Sequence, residues 1–259
     1  MYPDGSVTVS NTRCSYQLII RPDFIYTIPA EVEIPQPGDF GGDNTADYTN
    51  KNIIDSLADY PCAKSVLSKL PNINAFTKEI IQEIFGVNED VNITFSARPS
   101  SFFDSPKEDG VSKFNGGMTT FDCNVYLNAS MLNTATEDYI FITMIHEALH
   151  GYLKYKRHTL DFTDFSALYP MYLPKSTNSY HQIMSYNQSS GYVAKMAAAL
   201  MAFNSNVSLE SAKALAWGGL QFTKEWENLG NDTINIKNIN IQGKTPTENI
   251  SPYGFKKCQ

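Results

Sequence analysis

The sequence predicts an α+β fold, on three observations. Short segments rich in β-branched and aromatic residues gather between Val91 and Ala129, a nearly continuous apolar run of helical character follows from Tyr139 to Ile145, and the segments after Tyr180 carry helical spacing. The chain has 259 residues, enough for one substantial domain or one domain with an appendage. Hydrophobic residues make up 42% and charged residues 18%, a balance that excludes disorder throughout. A net charge of −7, with no basic cluster longer than Lys154 to Arg157, argues against a nucleic-acid partner. No apolar run approaches the ~18 residues that a membrane span requires.

Three regions are expected: an extended arm and linker over residues 1–50, a main domain over 51–230 and a tail over 231–259. In the arm, Tyr16 to Ile20 and Phe24 to Ile28 concentrate β-formers between prolines and read as short strands. Gln36 to Asn50 is rich in Gly, Asp and Asn and reads as a linker. Helices are expected at Lys51 to Tyr60, at Ala63 to Leu70 and at Ile73 to Phe85, the last stopped by Gly86. Val91 to Phe95 alternates as a strand. Pro99 to Gly117 reads as a polar loop, and Met118 to Phe121 and Asn124 to Ala129 as two further strands. Residues 158 to 178 lack periodicity and read as a long irregular loop. Helices are then expected from Tyr180, through Val193 to Leu200, and from Ser208 to about Trp217. Thr233 to Ile241 alternates like a strand, but its isoleucine phase slips between Ile236 and Ile239, which implies a bulge, a turn or no sheet at all.

The main helix carries the chemistry. Thr134-x-x-Glu137 reads as a capping box at its start, and Lys154, Lys156 and Arg157 crowd its last turn, where positive side chains suit the helix dipole. Within it lies His146-Glu147-Ala148-Leu149-His150. Residues four apart lie one turn above each other, so both imidazoles can reach one metal ion at about 2.0 to 2.1 Å. Glu147 points about 100° away from His146 and suits a general base rather than a third ligand. With 4 His in the chain, chance produces this pattern in only about three shuffled sequences in a thousand. An apolar helix that buries two imidazoles and a carboxylate also needs a partner for them, and zinc supplies one.

A catalytic zinc takes three protein ligands. The spacing after His150 excludes the metzincin pattern, because Leu153 and Lys156 stand where that pattern has Gly and His. His181, at the start of the next expected helix, is the preferred third ligand. Asp161 and Asp164 are the carboxylate alternatives. Glu210 is already explained as a first-turn acid, and His158 lies about 12 Å further along a continuous helix. Tyr186, five residues past His181, is the candidate phenol for stabilising an oxyanion. Cys14, Cys62, Cys123 and Cys258 allow three disulfide pairings, and reduced buried thiols are an equal alternative.

The stretch from His146 to His150 resembles the active-site helix of the zincin superfamily of zinc metallopeptidases. It is more closely similar to a group of exported bacterial proteins with a His-Glu-x-x-His-x-Tyr-Leu-like helix and a later His-x-x-Met segment, here His181 to Met184. Leu215 to Leu220 adds to that likeness, which spans about residues 55 to 225. The resemblance implies a small mixed sheet packed on the active-site helix, with a helical C-terminal half that supplies the third ligand. It also implies His146 and His150 as zinc ligands, Glu147 as base, and a peptide or protein substrate laid along an edge strand, for which Cys123 to Ala129 is the candidate.

The expected function is therefore zinc-dependent hydrolysis of peptide bonds. The alternatives are a zincin-like binding module of the cell envelope that has lost hydrolysis, and a hydrolase of a non-peptide amide. Met1 to Gly5 lacks a signal-peptide core, and the first fifty residues read as the start of a mature exported chain, so export with removal of a targeting segment is expected.

Overall fold

The computed structural model describes the backbone of residues 7–11, 14–21 and 24–27, and residues 52–86, 90–116, 120–176, 178–187, 190–247 and 253–258 in full. The chain divides into two compact units, Met1–Asp47 and Tyr48–Gln259. In the first unit, β1 (Val7–Asn11), β2 (Cys14–Arg21) and β3 (Phe24–Thr27) form an antiparallel sheet in that order, with Leu18 opposite both Val7 and Thr27. The linker expected from Gln36 to Asn50 lies outside the described residues.

The second unit opens with a strand where a helix was expected. β4 (Ile53–Ser56) runs parallel to Ile93–Ser96, and the amide of Ile93 donates to the carbonyl of Asn52 at 2.8 Å to start the ladder. Pairing with a neighbouring strand outweighs the weak helical tendency of a segment containing two adjacent isoleucines. α1 (Pro61–Lys69) follows, and then α2 (Ala75–Thr77) and α3 (Glu83–Phe85), joined through a π turn at Lys78–Gln82.

β5 (Val91–Arg98), β6 (Gly110–Asn115) and β7 (Phe121–Asn128) complete a four-stranded mixed sheet of order β4-β5-β7-β6. β4, β5 and β7 are parallel, and β6 is the antiparallel edge. The sheet's inner face, with Ile93, Phe95, Cys123, Val125 and Leu127, is buried in the core.

Three expectations are corrected here. The segment read as a loop contains the edge strand β6, whose Gly-Val-Ser-Lys-Phe-Asn composition has no apolar alternation because an edge strand buries little. Cys123 to Ala129, the expected edge, sits inside the sheet between β5 and β6. The two short strands expected from Met118 to Ala129 are one, Phe121–Asn128; Met118 and Thr119 lie outside the described residues.

α4 (Ala129–Thr134) ends just before the central helix α5 (Glu137–Thr159). Thr136, rather than Thr134, caps α5. Its hydroxyl accepts from the amide of Tyr139 at 3.2 Å and donates to the carbonyl of Gly243 at 3.0 Å. Thr134 belongs to α4 and bonds back to Ser130. α5 packs against β6 and β7 on one side and against α1 and later helices on the others, which is why its residues from Asp138 to Leu149 are all buried.

The expected irregular loop holds a helix, α6 (Phe162–Leu168), capped by the Asp161 side chain accepting from the amide of Asp164 at 2.9 Å. α7 (Ser179–Ser185), α8 (Tyr192–Phe203), α9 (Leu209–Ala216) and α10 (Lys224–Asn228) follow. α11 (Asp232–Lys244) occupies the alternating segment. The slip between Ile236 and Ile239 is helical spacing: both are buried on one face, while Ile234 and Ile241 are exposed.

Residues 231–259 are continuous with the second unit. α11 packs on α9 and α5, Lys256 accepts from the amide of Glu137 at 2.7 Å, and Cys258 is disulfide-bonded to Cys62. Cys123 is a free, buried thiol.

Candidate metal centre

α5 and α7 bring three imidazoles to one point. His146 and His150, one turn apart on α5, have Nε2 atoms 3.3 Å from each other, and the Nε2 of His181 on α7 lies 3.0 Å from that of His150. Their ligating nitrogens all lie within 4.8 Å of one another. Tetrahedral ligands at a zinc–nitrogen distance of about 2.0 to 2.1 Å stand about 3.3 Å apart, so the spacing fits a shared ion.

The protonation state fits as well. Burial, then the neighbouring imidazoles, holds His146 well below the usual histidine range; burial and His181 take His150 down to about 3, and burial lowers His181. All three are therefore neutral at pH 7, the form that metal binding requires. Among the described residues these three rings have no hydrogen-bond partners beyond each other. Three ring nitrogens aimed at one another within a largely buried space satisfy each other poorly, and a cation at their centre removes the conflict.

Two glycines shape the surroundings. Gly219, with φ of 79° in the turn after α9, lies so close to His146 that a Cβ there would meet its Cε1 at 2.9 Å and its Nε2 at 3.2 Å. In the sequence Gly219 stood only within Leu215 to Leu220, with nothing to link it to the histidines. Gly110, at the start of β6, does the same for Glu147: a Cβ there would stand 2.9 Å from Cγ.

Glu147 is buried at 6% exposure and lies outside the imidazole cluster, as expected of a base rather than a ligand. Its Oε2 accepts from the hydroxyl of Ser112 at 2.7 Å. Burial pushes the carboxyl up to about 7; the Ser112 hydrogen bond opposes that rise, and the charges of Glu108 and Asp109 add to it. Ser112 was invisible in the sequence, being one serine in a polar stretch with no periodicity.

The other candidates lie elsewhere. Asp161 is committed to capping α6, with Asp164 exposed in its first turn. Glu210 accepts from Asn235 at 2.9 Å. The ring of His158 faces Phe121 at 6.1 Å. Tyr186 is 45% exposed and lines a groove of about 240 Å³ with Leu168, Tyr169 and Tyr192. Among the described residues no hydrogen bond or ring contact joins it to the three imidazoles. The aromatic beside the centre is Tyr180, edge-on to His150 at 6.3 Å.

No family model matches the chain, and neither does any curated protein or any solved structure.

Proposed function

We propose that the protein is a zinc-dependent hydrolase that cleaves peptide bonds, with His146, His150 and His181 as the metal ligands and Glu147 as the general base. The observation that carries this reading is the convergence of three neutral imidazole nitrogens beside a buried carboxylate that is not itself part of the cluster. A divalent zinc ion held there supplies Lewis acidity, lowering the pKa of water from about 15.7 toward 7. Glu147 takes the proton of the attacking water and returns it to the leaving amine, while α5 and α7 carry the three rings that would hold the ion. The open edge of β6 beside Glu147 suits an extended peptide, which adds to a sheet through main-chain hydrogen bonds. The disulfide between Cys62 and Cys258 fits an exported protein in an oxidising compartment. No helix among the described residues is long and apolar enough to cross a membrane.

Metal analysis of the purified protein, followed by peptide-library digestion with and without a chelator, tests the reading. One zinc per chain and chelator-sensitive cleavage are expected. Glu147→Gln keeps the zinc and lowers turnover by about 100-fold or more. Zinc bound without peptide cleavage moves the assignment to a binding module or a non-peptide amidase, and absence of zinc overturns it.

A further inference from the structure

We propose that Ser112 is the positioning residue of the general base: from the edge strand β6 its hydroxyl fixes the Glu147 carboxylate in the orientation from which it works. This inference rests on the hydrolase reading above and assigns a role to a strand residue that the metal site alone does not need.

The Ser112 Oγ lies 2.7 Å from Glu147 Oε2 and 2.9 Å from the backbone carbonyl of the same residue. One hydroxyl carries one proton, and in its ionised, working form the carboxylate is the stronger acceptor, so the donation then goes to Oε2. Among the described residues Ser112 is the one residue that hydrogen-bonds the Glu147 carboxyl, through its hydroxyl and with help from its backbone. Gly110 stands two residues earlier, on the same face of the strand. Its missing side chain leaves room for Cγ, and a Cβ there would come within 3.2 Å of Oε1. One strand thus serves the carboxylate twice: Ser112 grips Oε2, and the bare Cα of Gly110 leaves space for the rest of the side chain.

The strand itself is anchored to the helix that carries Glu147. Asp109, just before β6, accepts from the hydroxyl of Tyr139 on α5 at 2.8 Å and pairs with Lys244 on α11 at 2.6 Å. The carbonyl of Glu108 accepts from Asn128 at 2.8 Å. A flexible three-torsion side chain therefore meets a donor whose place is set by two helices and by β7. This suits a hydrogen bond that orients a reacting group, because a small misplacement of that group slows the reaction strongly.

The test compares zinc-loaded wild type with Ser112→Ala and Ser112→Thr, reading zinc content, melting temperature, kcat and KM on a peptide cleaved by the wild type, and affinity for acetohydroxamate. That probe chelates zinc and places a hydroxyl where an oriented carboxylate can accept from it, so it reports Glu147 without turnover. Ser112→Ala is expected to lower kcat by about 10- to 100-fold and to weaken acetohydroxamate several-fold, with zinc content and KM unchanged. Ser112→Thr, which keeps the hydroxyl, restores both. Gly110→Ala, which presses on Cγ, reproduces the alanine phenotype.

Wild-type kcat and acetohydroxamate affinity in Ser112→Ala would overturn the role of Ser112 while leaving the hydrolase standing. So would equal losses in the alanine and threonine variants that track a falling melting temperature, since these mark a purely structural contact. A wild type that neither binds zinc nor cleaves peptides sinks the hydrolase reading, and this inference with it.

Discussion

The two ends of the buried part of α5 both take polar side chains out of water, and they treat them in opposite ways. Near the start, Asp138 is fully buried and saturated with partners: Asn204 donates to Oδ1 at 2.8 Å, and the backbone amide of Lys256 donates to Oδ2. Two turns later, His146 is 9% exposed, and among the described residues its ring nitrogen faces only the imidazoles of its own cluster. A buried polar group whose partners are all in the chain is part of the architecture, here a clasp for the C-terminal segment. One that faces two other imidazoles could hold a metal ion with them. The same helix holds both, so the difference is a matter of what surrounds each turn rather than of burial.

The largest effect that would break this comparison belongs to the histidines. Replacing His146, His150 or His181 by Ala removes stoichiometric zinc, read by metal analysis. In the metal-free protein His150→Ala melts close to wild type, because relief of the conflict among three facing ring nitrogens offsets the packing that the ring supplies. Adding zinc raises the melting temperature of wild type alone, by the equivalent of about 4 kcal/mol when zinc stands 1,000-fold above its dissociation constant.

Asp138→Ala does the reverse. It leaves two buried donors unpaired and lowers stability by about 2 to 4 kcal/mol in a denaturant titration, while zinc content stays at the wild-type value. Burial raises the Asp138 pKa despite its hydrogen bonds. A carboxyl whose folded pKa is raised stabilises most below its unfolded value, near 3.9, and that contribution fades as pH rises through the folded pKa. The gap in stability between wild type and Asp138→Ala is therefore wider in acid, and a gap that grows with pH would contradict the assignment.

Reducing the Cys62–Cys258 disulfide frees the same clasp covalently. It lowers stability by about 2 to 5 kcal/mol, since the bond closes most of the second unit into one loop. Smaller and more local is Gly219→Ala. It strains a backbone at φ of 79° and drives a methyl group against His146, so zinc affinity falls about 10-fold with the fold retained.

How far the site could be read in advance differs between its two walls. The helical wall was legible because an α-helix has a fixed period: residues four apart must share a face, so His146 and His150 announced a common partner, and Glu147 its different direction. His181 required a guess about where a later helix would cross, though it had few competitors among four histidines. The strand wall was not legible. β6 has no apolar alternation to announce it, so Ser112 and Gly110 looked like loop residues until pairing with β7 placed them over Glu147. The cap of α5 shifted from Thr134 to Thr136 for a similar reason, because the choice between two nearby threonines depends on where α4 ends and on the carbonyl of Gly243.

By itself the sequence determined the histidine-bearing face of one helix, the mixed α and β character of the chain and most of the helices around that face, because each rests on short-range periodicity and on what a buried polar group requires. Tertiary structure alone decided which strand lies at the sheet edge, that the isoleucine-rich segment near the C-terminus is helix rather than strand, which cysteines join, and which hydroxyl meets the carboxylate of Glu147. Those outcomes depend on partners far away in the chain, and a partner's position is a property of the packed molecule, not of any one stretch.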